Sequence, residues 1–165
     1  MQQTIITFAR MLLGCCLLLL SAATSAADVL HEFNPDSLPR IISSQKGQPF
    51  VLVVWSLDCE FCRASLNLLS QKKRSRKDLR VVTLATDPLA DPQAAALIRK
   101  SLGTLDLRND AWAFGAAPPE QLRYAIDQKW HGEMPRSYWF DGAGTGRATS
   151  GVVTSAMVDA FLAAR

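Results

Sequence analysis

Cys59 and Cys62 are the residues of this chain best placed to do chemistry, and their spacing limits what that chemistry can be. They stand in Cys59-Glu60-Phe61-Cys62, just after the apolar run Phe50–Trp55 and at the head of a segment with helical periodicity. A helix N-terminus offers unpaired N–H groups and the positive end of the helix dipole, which favour a thiolate at Cys59. The thiolate is the nucleophilic form. A cysteine three residues further on lies one turn away, near enough to close a disulfide. The layout suits thiol–disulfide exchange, with Cys59 attacking a substrate sulfur and Cys62 resolving the mixed disulfide. Other uses of paired cysteines compete with this one. A purely structural bridge over so short a loop gains only about 2 kcal/mol in the chain-entropy account. A copper or zinc site needs more ligands, and His31 and His131 are not at ligand spacing. Haem attachment is excluded more firmly, because Arg63 rather than histidine follows Cys62.

The elements that must position the pair follow from hydrophobic pattern. Phe50–Trp55 is continuously apolar and β-branched, as in a strand buried on both faces. Residues 59–74 form a helix with Cys62, Leu66 and Leu69 on one face. Before them come a short strand over 29–33 and a helix over 34–44. After them come a strand over 79–85 and a helix over 92–102 that Gly103 stops. Leu105 and Leu107 alternate as in a short strand, and Pro118-Pro119 opens a helix to about Lys129. Residues 137–140 and 147–153 form a hairpin around a loop containing Gly142, Gly144 and Gly146, which is no phosphate loop because no strand–loop–helix surrounds it. Thr154 caps a last helix that buries Met157, Val158, Phe161 and Leu162. This order predicts an α/β fold: a mixed central sheet flanked by helices, in one domain over residues 28–165.

Residues 1–27 read as a separate segment. One basic residue, Arg10, precedes the ten apolar residues Met11–Leu20, and small residues follow to Ala27. That is the layout of a secretory signal peptide, cut before Asp28. An uncleaved anchor and a lipobox at Leu12–Cys15 are the alternatives. Cleavage removes Cys15 and Cys16, so the exported chain keeps a single Cys-x-x-Cys pair in an oxidising compartment, expected to be the periplasm.

Composition excludes other classes. The chain has 165 residues, 48% hydrophobic and 20% charged, which is the make-up of a globular domain. It is not that of a disordered, collagen-like or multi-pass membrane chain. A net charge of +3 is too mild to indicate nucleic-acid binding. The basic run Lys72, Lys73, Arg74, Arg76 and Lys77 reads as a solvated helix end that complements the dipole, with an acidic partner or a lipid surface as the alternative.

At these residues the sequence resembles the thioredoxin superfamily, and within it the exported TlpA/ResA-like thiol–disulfide oxidoreductases. The resemblance rests on Cys59–Cys62 at a helix start after an apolar strand, on Trp55 four residues earlier, on Met134-Pro135 before the strand 137–140, and on the final hairpin and helix. It implies a thioredoxin fold over residues 29–165, with Cys59 as nucleophile and Cys62 as resolving thiol. It also implies a cis-proline at Pro135 that leaves the backbone of Met134 free to pair with a substrate strand, Trp55 beside the pair as a further residue of that substrate groove, and no organic cofactor. By resemblance the partners are a protein dithiol or disulfide, such as apocytochrome c, and a membrane electron donor. The sequence departs from the family in three places. Glu60-Phe61 lacks the usual proline. Val53 stands where thioredoxins carry a buried aspartate, leaving Asp58, Glu60 or Glu133 to move the Cys62 proton. Residues 104–132, with Trp112, Phe114, Trp130 and His131, are an insert before the cis-proline strand that reads as extra core or as a wall of the substrate groove. Asp58 and Glu60 flank Cys59 and oppose its thiolate, which points to a reductant or isomerase; Arg136 is the cation that threatens this argument. The rival readings are a thioredoxin-like metallochaperone holding copper or zinc through the two thiols and, more weakly, a peroxidase of the same fold.

Overall fold

The structure, a computed structural model, describes residues 29–164. The signal-peptide expectation lies outside these residues. Six strands form one sheet: β1 (Leu30–Phe33), β2 (Phe50–Trp55), β3 (Val81–Pro88), β4 (Ala111–Phe114), β5 (Arg136–Phe140) and β6 (Gly146–Ser150), in the order β1-β4-β3-β2-β5-β6. Neighbours from β1 to β2 pair in parallel, and β5 and β6 complete the sheet antiparallel. Five helices cover it: α1 (Ser37–Ser44), α2 (Glu60–Ser75), α3 (Pro92–Thr104), α4 (Pro119–Ile126) and α5 (Ser155–Ala163).

Side chains alternate across a strand, so β2 serves two cores. Val51, Val53 and Trp55 face Cys62, Leu66 and Leu69 of α2, Ile98 and Leu102 of α3, and Val158 and Leu162 of α5. Phe50, Leu52 and Val54 face Ile41 of α1, Leu122 and Ile126 of α4, and Trp130. All six β2 residues are buried, which is why the run reads as continuously apolar rather than alternating.

Several expected boundaries move, each for a local reason. Gly103 does not stop α3; it lies inside the helix, where the Arg108 side chain covers the space a Cβ would fill. The stop comes at Asp106, in the left-handed region with φ 55°. The N–H of Leu107 donates to the Leu102 carbonyl at 2.9 Å and that of Asp106 to Gly103 at 3.2 Å. This is a Schellman ending, and it produces the apolar pair Leu105/Leu107 that mimics a strand. The strand itself is β4. It sits within the sheet, between β1 and β3. The hairpin also ends early, because Gly151 turns at φ 95° and donates its N–H to the Pro135 carbonyl at 2.9 Å.

Candidate active site

The loop Ser56–Asp58 carries the chain from β2 into α2 and leaves Cys59 as the helix N-cap. The Cys59 Sγ accepts the N–H of Cys62 at 3.1 Å, a role that Ser or Asp usually fills. Cys59 and Cys62 are joined by a disulfide, with Cα atoms 5.2 Å apart. Their exposure differs. Cys62 is fully buried in the aliphatic core, whereas Cys59 is partly open to solvent. Solvent therefore reaches Cys59 and not Cys62. The Cys62 N–H and the positive end of the α2 dipole thus meet at Cys59, an arrangement that favours a thiolate over a thiol.

Around the pair, Phe61 is 66% exposed. Met134 is partly exposed and packs against both cores, and the Met134–Pro135 peptide bond is cis. Among the described residues no hydrogen bond engages the backbone of Met134. Trp55 is only 1% exposed. It is therefore part of the floor beneath the pair and not a lining of an open groove, a correction that follows from its place in the all-buried strand β2.

Arg136 and Glu133 also need correction as modulators of the cysteines. Arg136 shares a face of β5 with Tyr138 and Phe140, whereas Trp139, on the alternate face, packs in the cluster that holds Cys62. Its guanidinium is fully engaged away from the pair: Nη2 donates to Asp127 at 2.7 Å, Nη1 to Glu133 at 2.8 Å and to Ser150 at 2.7 Å, and Nε to the Tyr138 hydroxyl at 3.3 Å. Burial works against the Asp127 charge, but the Lys129 N–H and the guanidinium outweigh it and hold the carboxyl below its ordinary value. Glu133 is lowered in the same way: burial opposes its charge, and its own N–H, Ser150 and Arg136 prevail. Burial pushes the Tyr138 phenol up to about 12. Trp130 donates its indole N–H to the Glu133 carbonyl at 2.8 Å. Together these contacts tie the segment before Pro135 to the sheet, so Glu133 and Arg136 position that segment.

The aromatic residues of 104–132 resolve in favour of core. Trp112, Phe114 and Trp130 are buried on the face opposite Cys62. His131 is exposed, and its backbone N–H donates to the Glu133 carboxylate. Asp58 and Glu60 remain exposed on either side of Cys59. The basic run is drawn into helix-end contacts: Lys72 pairs with Asp159 at 2.8 Å, Lys73 donates to the Asp106 carbonyl, and Arg76 pairs with Asp78. A cavity of about 760 Å³ between Gly47–Pro49, the β5–β6 hairpin and α5 includes neither cysteine. Among the described residues, no group of three or more His, Cys, Asp or Glu could hold a metal ion, and no helix is long and apolar enough to cross a membrane.

One carboxylate at the site escaped the sequence reading. Asp87, at the end of β3, accepts the N–H of Leu57 at 3.0 Å. A signal was present: an aspartate near the end of a largely apolar strand stands at the carboxyl edge of a parallel sheet, where such folds gather their functional groups.

No protein-family model and no curated protein matches the sequence. Solved structures do. A secreted disulfide oxidoreductase of Mycobacterium tuberculosis, homologous to E. coli DsbE, is similar with a TM-score of 0.56 and 21% identity, over 74% of this chain and 86% of that one. The chain has a thioredoxin fold. A putative thiol:disulfide interchange protein DsbE from Chlorobium tepidum gives a TM-score of 0.55 at 21% identity, covering 74% of this chain and 83% of that one. The exposed lipoprotein thioredoxin Etrx1 of Streptococcus pneumoniae gives 0.55 at 19%, covering 75% and 90%. Within a thioredoxin fold, the loop from β2 into α2 and the segment before β5 meet at one end of the sheet, and both the cysteines and Pro135 lie on them.

Proposed function

We propose that this protein is an exported thiol–disulfide oxidoreductase that reduces protein disulfides. The observation that carries the reading is the asymmetry of the pair: an accessible Cys59 at the N-cap of α2, bonded to a Cys62 that solvent does not reach. Starting from the dithiol, the Cys59 thiolate attacks one sulfur of a substrate disulfide. A Cys59–substrate bond forms, the substrate S–S bond breaks, and the first substrate thiolate leaves. Cys62 then loses its proton and attacks Cys59 Sγ, which expels the second substrate thiolate and closes Cys59–Cys62. Two electrons pass to the substrate, and a dithiol donor must restore the reduced pair.

A protein substrate fits the open surface better than a small molecule does. Phe61 and Met134 offer apolar contact beside the disulfide, and the free backbone of Met134 can pair with an extended segment. The structural neighbours bear secreted, interchange-protein and exposed-lipoprotein names, which agrees with export directed by residues 1–27. Export to the periplasm requires a membrane electron donor, since the compartment is oxidising; an apocytochrome c is a substrate consistent with the sequence resemblance. The reductive direction follows from Asp58 and Glu60 beside Cys59, and Arg136 no longer opposes it because it is engaged on the other face of the sheet. Insulin reduction in the presence of dithiothreitol tests the activity. Equilibration with glutathione tests the direction: a reduction potential below about −200 mV is expected, and one near about −120 mV, the range of strong dithiol oxidants, overturns it.

A further inference from the structure

We propose that Asp87 is a positioning residue for Cys59, acting through the backbone of Leu57; this rests on the exchange chemistry assigned to the pair. The loop between β2 and α2 has few anchors. Within itself it is closed by the Cys59 N–H donating to the Ser56 carbonyl at 3.3 Å. To the sheet it is tied by the Thr86 hydroxyl on the Trp55 carbonyl at 3.5 Å and by the shorter, charge-assisted bond from Leu57 N–H to Asp87 Oδ2 at 3.0 Å. Leu57, the donor of this bond, and Leu89, two residues after Asp87, pack on the aliphatic core that contains Cys62. The carboxylate thus stands at the rim of that core, partly buried, within the pairing irregularity of β3 between Ala85 and Pro88.

Holding a charge there is costly, and the direction of its titration shows it. Burial pushes the Asp87 carboxyl up, the Leu57 and Asp87 N–H groups pull it down, and the Asp58 charge pushes it up again, leaving it above its ordinary 3.8. The groups around it supply no cation to offset this. Its sheet neighbours β2 and β4 contain no titratable residue, and α3 carries its charged residues, Arg99 and Lys100, exposed in its second half. Asp91, at the start of α3, turns its carboxylate to the N–H groups of Gln93 and Ala94. Exposed Glu60 and Arg63 lie on α2. What Asp87 provides in return is the place of Leu57, and with it the placement of Cys59 at the end of α2. Its negative charge also bears on the Cys59 thiolate, in the same sense as Asp58 and Glu60. Val53 leaves the sheet beneath the pair without a carboxylate, so Asp87 supplies a charge from the adjacent strand instead.

The test compares Asp87→Asn, which keeps an acceptor oxygen and the side-chain volume, with Asp87→Ala, which leaves the Leu57 N–H unpaired. Two readings are taken on the reduced full chain: the rate of attack on oxidised glutathione at pH 7, and the pH midpoint of iodoacetamide labelling of Cys59, followed by peptide mass spectrometry. Asp87→Ala is expected to slow the attack about tenfold. Asp87→Asn is expected to recover the rate to within about threefold and to lower the labelling midpoint by about half a unit, since a negative charge is gone. The proposal is overturned if Asp87→Ala reacts at the wild-type rate, if Asp87→Asn does not restore it, or if the Asn midpoint does not move. Should Asp87→Ala fail to fold by circular dichroism, the Asn midpoint decides. Neither reading needs a protein substrate, so a wild-type protein inactive on insulin would count against the proposed function and leave this test intact.

Discussion

The two faces of the sheet are built from different materials. On the face of α2, α3 and α5 the core is largely aliphatic, and Cys62 lies fully buried within it. On the face of α1 and α4 it is aromatic: Phe33, Phe50, Trp112, Phe114, Trp130, Tyr138 and Phe140. Phe50 and Phe140 stack with centroids 4.7 Å apart, and Phe33 and Phe114 at 6.1 Å. The ion network of Arg136 lines the edge of the aromatic face. The thiol face instead has the partly buried carboxylate of Asp87 at its rim. The difference teaches how the labour is divided. The aromatic face and its network hold the sheet and the segment before Pro135, while the aliphatic face keeps Cys62 away from solvent.

The sharpest way to break that division is at the sulfurs. Cys59→Ser should abolish turnover in the insulin assay. Cys62→Ser should still capture substrate as a mixed disulfide but not release it, so covalent complexes accumulate on non-reducing gels and can be identified by mass spectrometry. If reduced protein were labelled first at Cys62, the two roles would have to be exchanged.

A large cavity on the opposite face should cost stability and spare chemistry. Phe50→Ala removes a side chain that is 1% exposed and stacked on Phe140, and should destabilise by about 3–5 kcal/mol in urea unfolding. The Cys59 labelling rate of the molecules that remain folded should be unchanged. A changed labelling rate would mean that the two faces are coupled through the sheet.

A smaller effect, with a pH signature, is expected from Arg136→Met. The variant leaves Asp127 and Glu133 without their cation and should lose about 2 kcal/mol at neutral pH. Both carboxyls have folded values below their ordinary 3.8 and 4.5. Their contribution to stability is therefore complete above those ordinary values and is lost as pH falls through the lower folded ones. Wild-type stability should fall with acidification below about pH 4.5, and the variant should show a shallower fall; unfolding curves taken between neutral and acid pH check this. Asp87, whose folded value is raised, has the opposite sign: its contribution is present below 3.8 and lost as pH rises through the folded value. The Cys59 labelling midpoint of Arg136→Met should match wild type, because the guanidinium serves the other face.

Much of this arrangement was legible in the chain itself, because it depends on local pattern. The apolar run of β2, the Cys-x-x-Cys at the start of α2, the capped last helix with Thr154 accepting the Met157 N–H, and the glycine-rich hairpin all follow from periodicity and turn chemistry within about a dozen residues. The final loop shows how local such signals are: Asp141 Oδ1 accepts the N–H groups of Ala143 and Thr145, and Gly144 turns at φ 80°. The roles of the charged residues were not legible in this way. Arg136 and Glu133 stand beside Pro135 in sequence, yet alternation along β5 sends the Arg136 side chain to the face away from Cys62. Asp87 is 28 residues from Cys59 in sequence, yet parallel pairing of β2 with β3 sets it against Leu57. Parallel pairing with β1 and β3 wedges β4 into the sheet and turns Trp112 and Phe114 into core. Sequence by itself determined the Cys-x-x-Cys pair and the elements that bear it, since propensity, capping and hydrophobic period act between near neighbours. Only the tertiary structure decided which charges surround the sulfur, because strand register and the choice of sheet face are settled by contacts between segments far apart in the chain.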